Sequence, residues 1–339
     1  MLSRLRASAW IRGLVLAVVL GCCSYGLYEE WPAVSAGLSR LHWYSVLAAL
    51  AAAMAGSGCM MLAWRAVLAD LGSPLPVLVA ARVTFVSQLG KYVPGAVWSF
   101  AAHVELGHDY QVPRRRGAAS VLMALALAAG TGLLAAAAIL PLAAPEAARH
   151  YRIFLAAVPL IAVCLVPSVM HRLLNLALRI IRQPPLERPI SWRGLGIALG
   201  WTILAWLLLG MQIWFLLADV TRGGLRIWLV GFGAYALACT LGLLVVVVPN
   251  GIGAREVVLV AALAPILPAS PALAVAIVAR VVTTFSDLAW GALGLALKRH
   301  ARSSAVAAPA NEPVSPPVTW RPLLRPAGKH RKPVRSMAP

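Results

Sequence analysis

Acidic residues are scarce in this chain: only 11 Asp and Glu stand against 30 Lys and Arg in 339 residues, and charged residues of both signs make up 12%. A soluble domain carries about 25% charged residues, so a wholly water-facing surface is excluded. Few carboxylates also means few candidates for a general base, which argues against an embedded catalyst. Cysteine is limited to Cys22, Cys23, Cys59, Cys164 and Cys239, all inside apolar runs. The number is odd and no spacing suits zinc, so neither a disulfide framework nor a metal site is expected. No strand alternation and no Gly-rich dinucleotide fingerprint occurs, and no cofactor is expected.

What is abundant is apolar sequence, 61% of the chain, with a mean hydropathy of +0.81. Ordinary domains hold about 45–50%, and one core cannot hide the excess, so lipid is the solvent for most of this surface. The fold class that follows is all-α, a polytopic integral membrane helix bundle. Apolar segments fall at about 13–28, 43–64, 117–140, 154–169, 195–217, 227–248 and 272–297, with a broken region at 77–102 and a short segment at 254–267. Arg4, Arg6 and Arg12 before the first segment resemble a signal peptide, but with so many spans downstream an uncleaved first helix is expected.

The net charge of +19 does not point to nucleic acid, because the basic residues sit between apolar runs, where the positive-inside rule puts them. A cytoplasmic N-terminus places Arg114, Arg115 and Arg116 inside, then the arginines of 171–193, then the nine Lys and Arg that follow Leu297. This holds only if 77–102 enters and leaves on the same face and 254–267 crosses. About eight spans plus one re-entrant hairpin then leave both termini cytoplasmic in a bacterial-type inner membrane. Residues 1–298 form the membrane domain, and 299–339, rich in Pro, Ala and basic residues, form a disordered tail.

Two interruptions concentrate the polar chemistry. In the first, Gly90, Pro94 and Gly95 break an apolar run that carries Lys91 and Tyr92, after Thr84, Ser87 and Gln88. A helix restarting there would aim free N–H groups at the break and attract anions. A cation at membrane depth costs at least about 2.5–3.5 kcal/mol, which a phosphate would offset. The second interruption repeats the design: Pro249, Gly251 and Gly253 precede Arg255 and Glu256. Arg255 can grip a phosphate with two N–H groups, and Glu256 suits a helix N-terminus. Two broken helices in the two halves of a membrane protein point to a transport site. Farther on, Arg280 and Asp287 share a helix face. Arg280 is expected to reach Glu256 or a ligand, and Asp287 to find a cation. His103, Glu105, His108 and Asp109 mimic a metal cluster, but their spacing is wrong and an interfacial loop is expected. Ala52, Gly56 and Gly58 read as a close helix-packing stripe. Trp10, Trp31, Trp43, Trp64, Trp192 and Trp228 read as aromatic belts.

These stretches resemble a known family. SQLGKYVPGAVW at 87–98, PNGIGARE at 249–256 and RVVTT at 280–284 are similar, in order and spacing, to signatures of the lysylphosphatidylglycerol synthase transmembrane region. Asn250 and Ala96 depart from the usual residues. The resemblance spans about 10–300 and implies a flippase-like membrane domain for lipids with charged or sugar head groups. Some members fuse this domain to an aminoacyltransferase, and none follows here, so the translocation half is the part implied. Membrane lipids with phosphate-bearing head groups are the expected partners, whether anionic, aminoacylated or glycosylated. A separately encoded transferase and a second copy of the chain are further candidates. Gly90, Lys91, Tyr92, Pro94, Gly95, Gly251, Gly253, Arg255, Glu256 and Arg280 are the expected substrate-binding residues. The alternatives are a membrane-embedded lipid-linked transferase, for which only Glu256 and Asp287 qualify as bases, and a scaffold for a separate synthase.

Overall fold

A computed structural model describes residues 35, 39–92, 97–143, 158–159, 162–180, 190–244, 251 and 253–296. Among these residues there are helices and turns and no strand, so the protein is an all-helical, multi-pass membrane protein. The first expected span, part of the 154–169 span (154–157, 160 and 161), and the basic tail lie outside the described residues.

The chain forms α1 (Trp43–Asp70), α2 (Val77–Gln88), a 3₁₀ turn (Leu89–Tyr92), α3 (Val97–His108) and α4 (Arg114–Ala143). Then come α5 (Pro167–Ile180), α6 (Trp192–Val220), α7 (Leu225–Leu244), α8 (Ala254–Leu263) and α9 (Ala269–Ala296). Of these, α1, α4, α6, α7 and α9 are long and apolar enough to cross a membrane. Their Ala- and Leu-rich sequences are good helix formers. At 1.5 Å per residue, 28 residues of α1 reach about 42 Å, more than the roughly 30 Å hydrocarbon core.

Two aspartates fix α1 and α6 as an antiparallel pair. At one end, Asp70 accepts from the Ser191 backbone N–H (2.7 Å) and from Ser191 Oγ (2.5 Å). Ser191 in turn caps α6 by accepting from Gly194 N at 2.9 Å. At the other end, Asp219 accepts from His42 N (2.8 Å) and Ser45 Oγ (3.0 Å). Between these clasps Gly56 lets the helices close, since a Cβ there would stand 2.9 Å from Leu209 and 3.3 Å from the Ala205 carbonyl. The small-residue stripe is therefore a packing surface, as expected.

The broken region is a hairpin. After α1, Gly72 at φ 83° closes a Schellman turn, with Ser73 N bonded to Leu68 O and Gly72 N to Ala69 O. From there α2 and α3 run antiparallel. A Cβ on Gly90 would lie 3.0 Å from the Ser99 backbone, and Ser87 meets His103 one turn farther back. Both feet of the hairpin share one end of the bundle. Arg116 Nη1 donates to Gly72 O at 3.1 Å, while Arg114 clasps Glu105 with two bonds of 2.9 and 2.8 Å. Those bonds hold the Glu105 carboxyl below the usual carboxylate range. Twelve residues of α2 carry the tip about 18 Å into the bundle.

A second hairpin comes from the opposite end. Arg226 Nε donates to Ala143 O at 3.0 Å, which sets the start of α7 beside the end of α4. The chain then turns back on itself: Gly251 abuts Gly242, and Arg255 packs over Tyr235. The ten residues of α8 rise only about 15 Å, half the hydrocarbon thickness. This segment therefore contributes half a crossing as helix.

Two expectations are corrected. Residues 103–108 belong to α3 and are not an interfacial loop, because His103 has a buried environment to fill. The 171–193 loop opens with amphipathic α5, whose Met170, Leu174 and Leu178 are buried at helical spacing. The belt reading of the tryptophans is mixed: Trp43 and Trp192 are exposed at helix starts, but Trp64 is buried in the core.

Candidate functional site

The two hairpin tips meet on one cavity of about 420 Å³, within the 300–1,000 Å³ range of small-ligand sites. Gln88 and Lys91 face it from the first hairpin, and Gly242, Gly251 and Arg255 from the second. Apolar side chains of α1, α3 and α4, among them Met60, Phe100 and Leu125, complete the wall.

Each tip folds as it does for a local reason. In the first, Gly90 has no Cβ, which allows the 3₁₀ turn to lie on the start of α3. Lys91 Nζ is then 2.7 Å from Asp287 on α9. Tyr92 donates its hydroxyl to the same carboxylate at 2.6 Å. Pro94 and Gly95 lie outside the described residues. In the second tip, Gly251 (φ 64°) and Gly253 (φ 84°) occupy the left-handed region, which glycine adopts without a Cβ penalty. A Cβ on Gly251 would also stand 2.7 Å from the Gly242 carbonyl. Glu256 then reaches back to accept from Gly253 N at 2.7 Å and tie off the first turn of α8.

Arg255 is held from behind by a buried polar relay. Its Nη2 donates to the Tyr235 hydroxyl, and its guanidinium lies 4.7 Å from the Tyr235 ring centroid. Tyr235 contacts Gln212 Oε1 at 3.4 Å and Thr283 Oγ1 at 3.3 Å. Gln212 donates onward to Thr283 Oγ1 (3.2 Å) and Ala279 O (3.3 Å). Such a chain positions a cation without neutralising it.

Arg280 and Glu256 approach to 3.6 Å, so Arg280 reaches the acid expected of it. They line a separate void of about 10 Å³ behind Arg255, not the main cavity. Of the expected site residues, Lys91, Gly251 and Arg255 line the cavity, while Gly90, Tyr92, Gly253, Glu256 and Arg280 shape or brace its two tips. Sequence reasoning missed Gln212, Tyr235 and His103. A lone amide and a lone phenol inside long apolar helices were the available signal, since neither is buried without partners. Among the described residues no cluster suits a metal ion.

No protein among those curated for function matches the chain. Residues 10–291 match the family described as lysylphosphatidylglycerol synthase TM region. That match covers both hairpins and the helices that brace them, and the chain belongs to this family, a membrane domain related to lipid modification or translocation.

Proposed function

We propose that the protein takes up membrane lipids by a phosphate-bearing head group at the cavity between the two hairpin tips and passes them between leaflets. The observation that carries this reading is the convergence of Lys91 and Arg255, from opposite hairpins, on one cavity. Charge supports it further. Lys91, Arg255 and Arg280 stand against Glu256 and Asp287, an excess of one positive charge at this locus. In a low-dielectric interior that excess is costly, and the single negative charge of a phosphodiester offsets it. Guanidinium and ammonium groups are well suited to phosphate oxygens. The opposed hairpins also give the cavity one wall from each end of the bundle, the layout that alternating access requires.

In this reading the protein works in a bacterial-type cell membrane with both termini cytoplasmic, alone or beside a separately encoded transferase. No carboxylate lines the cavity among the described residues, which favours binding and movement over group transfer. The experiment is reconstitution into liposomes with a fluorescent phosphatidylglycerol in one leaflet. The wild type should move the label across, and the Lys91→Ala, Arg255→Ala double variant should fall to the protein-free rate. Full activity in a folded double variant would refute the proposal.

A further inference from the structure

Some polarity at the cavity is not explained by the cations. Thr84 on α2 and His103 on α3 both line it and are 4% and 9% exposed. Thr84 Oγ1 and His103 Nε2 are buried and have no hydrogen-bond partner among the described residues. Each such atom has lost its water without gaining a partner, which costs stability. Native interiors hold few of them, and two at the wall of one ligand-sized cavity call for a ligand that completes them.

The other side of the ring fixes its tautomer. Ser87 Oγ donates to Thr84 O at 2.8 Å, which uses its single proton. Its 3.1 Å contact with His103 Nδ1 then requires the proton of the neutral imidazole to sit on Nδ1. Nε2 is left with a lone pair, as an acceptor. Trp64 meets the imidazole at 69° with ring centroids 4.4 Å apart, and Trp64 is itself anchored by donating to Ser120 Oγ at 3.0 Å. The lone pair therefore has a fixed direction, and a fixed buried acceptor selects for a donor.

We propose that His103 Nε2 and Thr84 Oγ1 form a second subsite that reads a hydroxyl of the lipid head group, so that the ligand is a phosphodiester with a polyol or sugar head and not an amine-bearing one. This rests on the phosphate reading above. Ser87, against which His103 sits, precedes Lys91 by four residues, roughly 6–8 Å along the chain. That is the reach from a phosphate bound at Lys91 to a hydroxyl two or three carbons away, plus one hydrogen bond. The charges at the wall separate hydroxyl from ammonium, the two donors a head group can carry. The wall presents Lys91 and Arg255 and, among the described residues, no carboxylate. Asp287 is occupied by Lys91 and Tyr92, and Glu256 by Arg280 and Gly253 N. An ammonium would meet a wall with an excess of positive charge and no carboxylate open to it, whereas a hydroxyl carries no such penalty.

The test measures binding of three lipids with identical short acyl chains to the purified full-length protein. Phosphatidylglycerol carries head-group hydroxyls, phosphatidylpropanol has the same charge without them, and phosphatidylethanolamine offers an ammonium. The wild type should bind phosphatidylglycerol about tenfold more tightly than phosphatidylpropanol, the worth of one satisfied buried acceptor, and phosphatidylethanolamine more weakly than either. His103→Phe should reduce the first ratio to below about threefold. Thr84→Val, nearly the same shape, should reduce the ratio too and serves if His103→Phe fails to fold. Equal wild-type affinity for phosphatidylglycerol and phosphatidylpropanol would overturn the subsite and leave the phosphate reading standing. Tightest binding of phosphatidylethanolamine would overturn the hydroxyl assignment. Failure to bind any of the three would sink the phosphate reading and the subsite with it.

Discussion

Replacing Asp287 with Asn separates what this carboxylate does for the fold from what it does for the ligand. Asp287 is 3% exposed in its side chain and Lys91 is 25% exposed, with Nζ and Oδ2 at 2.7 Å. Removing one member of a buried pair costs about 3–5 kcal/mol, because the other charge stays behind unmatched. The partial exposure of Lys91 puts the expected cost near the lower end, about 3 kcal/mol. Asn keeps an oxygen for the Tyr92 hydroxyl, so the loss is mainly electrostatic and not a vacated hydrogen bond. At about 2–4 °C per kcal/mol for a domain of this size class, thermal unfolding in nanodiscs should shift down by roughly 6–12 °C. Adding Lys91→Met should recover most of that loss, since no unmatched charge is then left buried and the Asn amide oxygen still accepts from the Tyr92 hydroxyl. Binding should move the other way in the single variant. Lys91 freed of its counter-ion attracts a phosphate more strongly, so phosphatidylglycerol affinity should rise while stability falls. An Asp287→Asn protein that melts with the wild type, or a double variant no more stable than the single, would refute the pairing.

Two further substitutions probe the second hairpin. Tyr235→Phe removes the hydroxyl shared by Arg255, Gln212 and Thr283; stability should fall by about 1–3 kcal/mol and phosphatidylglycerol affinity should weaken, read by thermal shift and lipid titration on the same sample. Gly251→Ala adds a Cβ at positive φ and 2.7 Å from the Gly242 carbonyl; a loss of about 1–3 kcal/mol is expected, and unchanged melting would show that the tip does not close on α7 as described.

Much of this architecture was legible because each feature had a local physical cause. Gly90, Gly251 and Gly253 interrupt apolar runs, and a break in an apolar run has few explanations inside lipid. The re-entrant path followed from Arg114, Arg115 and Arg116, whose charge conflicts with a crossing at 77–102. The structure brings the feet of that hairpin together through Arg116 and Gly72. What could not be read is which distant groups pair. Asp287 needed a cation, but Lys91 and its neighbour Tyr92, the latter 195 residues away in sequence, leave no periodicity to follow. His103 was hidden differently: beside Glu105, His108 and Asp109 it looks like the polar rim of a loop, and only the antiparallel return of α3 onto Ser87 turns it toward the cavity.

The pairing explains why α9 carries two charges seven residues apart. Asp287 takes Lys91 from the first hairpin, and Arg280 takes Glu256 from the second. Two turns of helix place these partners on one face and about 10 Å apart along it. A single rigid helix thereby sets the spacing between tips that approach from opposite ends. Their opposite signs also prevent exchange, because Lys91 slid to the level of Arg280, or Glu256 to that of Asp287, would face a like charge. Each tip is therefore fixed in register against α9, and the cavity between them keeps its dimensions although Lys91, Gly251 and Arg255 in its wall come from the two interruptions. In the proposed transport cycle, either hairpin must leave its partner on α9 in order to move. An anion bound at Lys91 can stand in for Asp287 at that moment, so the ligand itself can lower the cost of releasing the first tip.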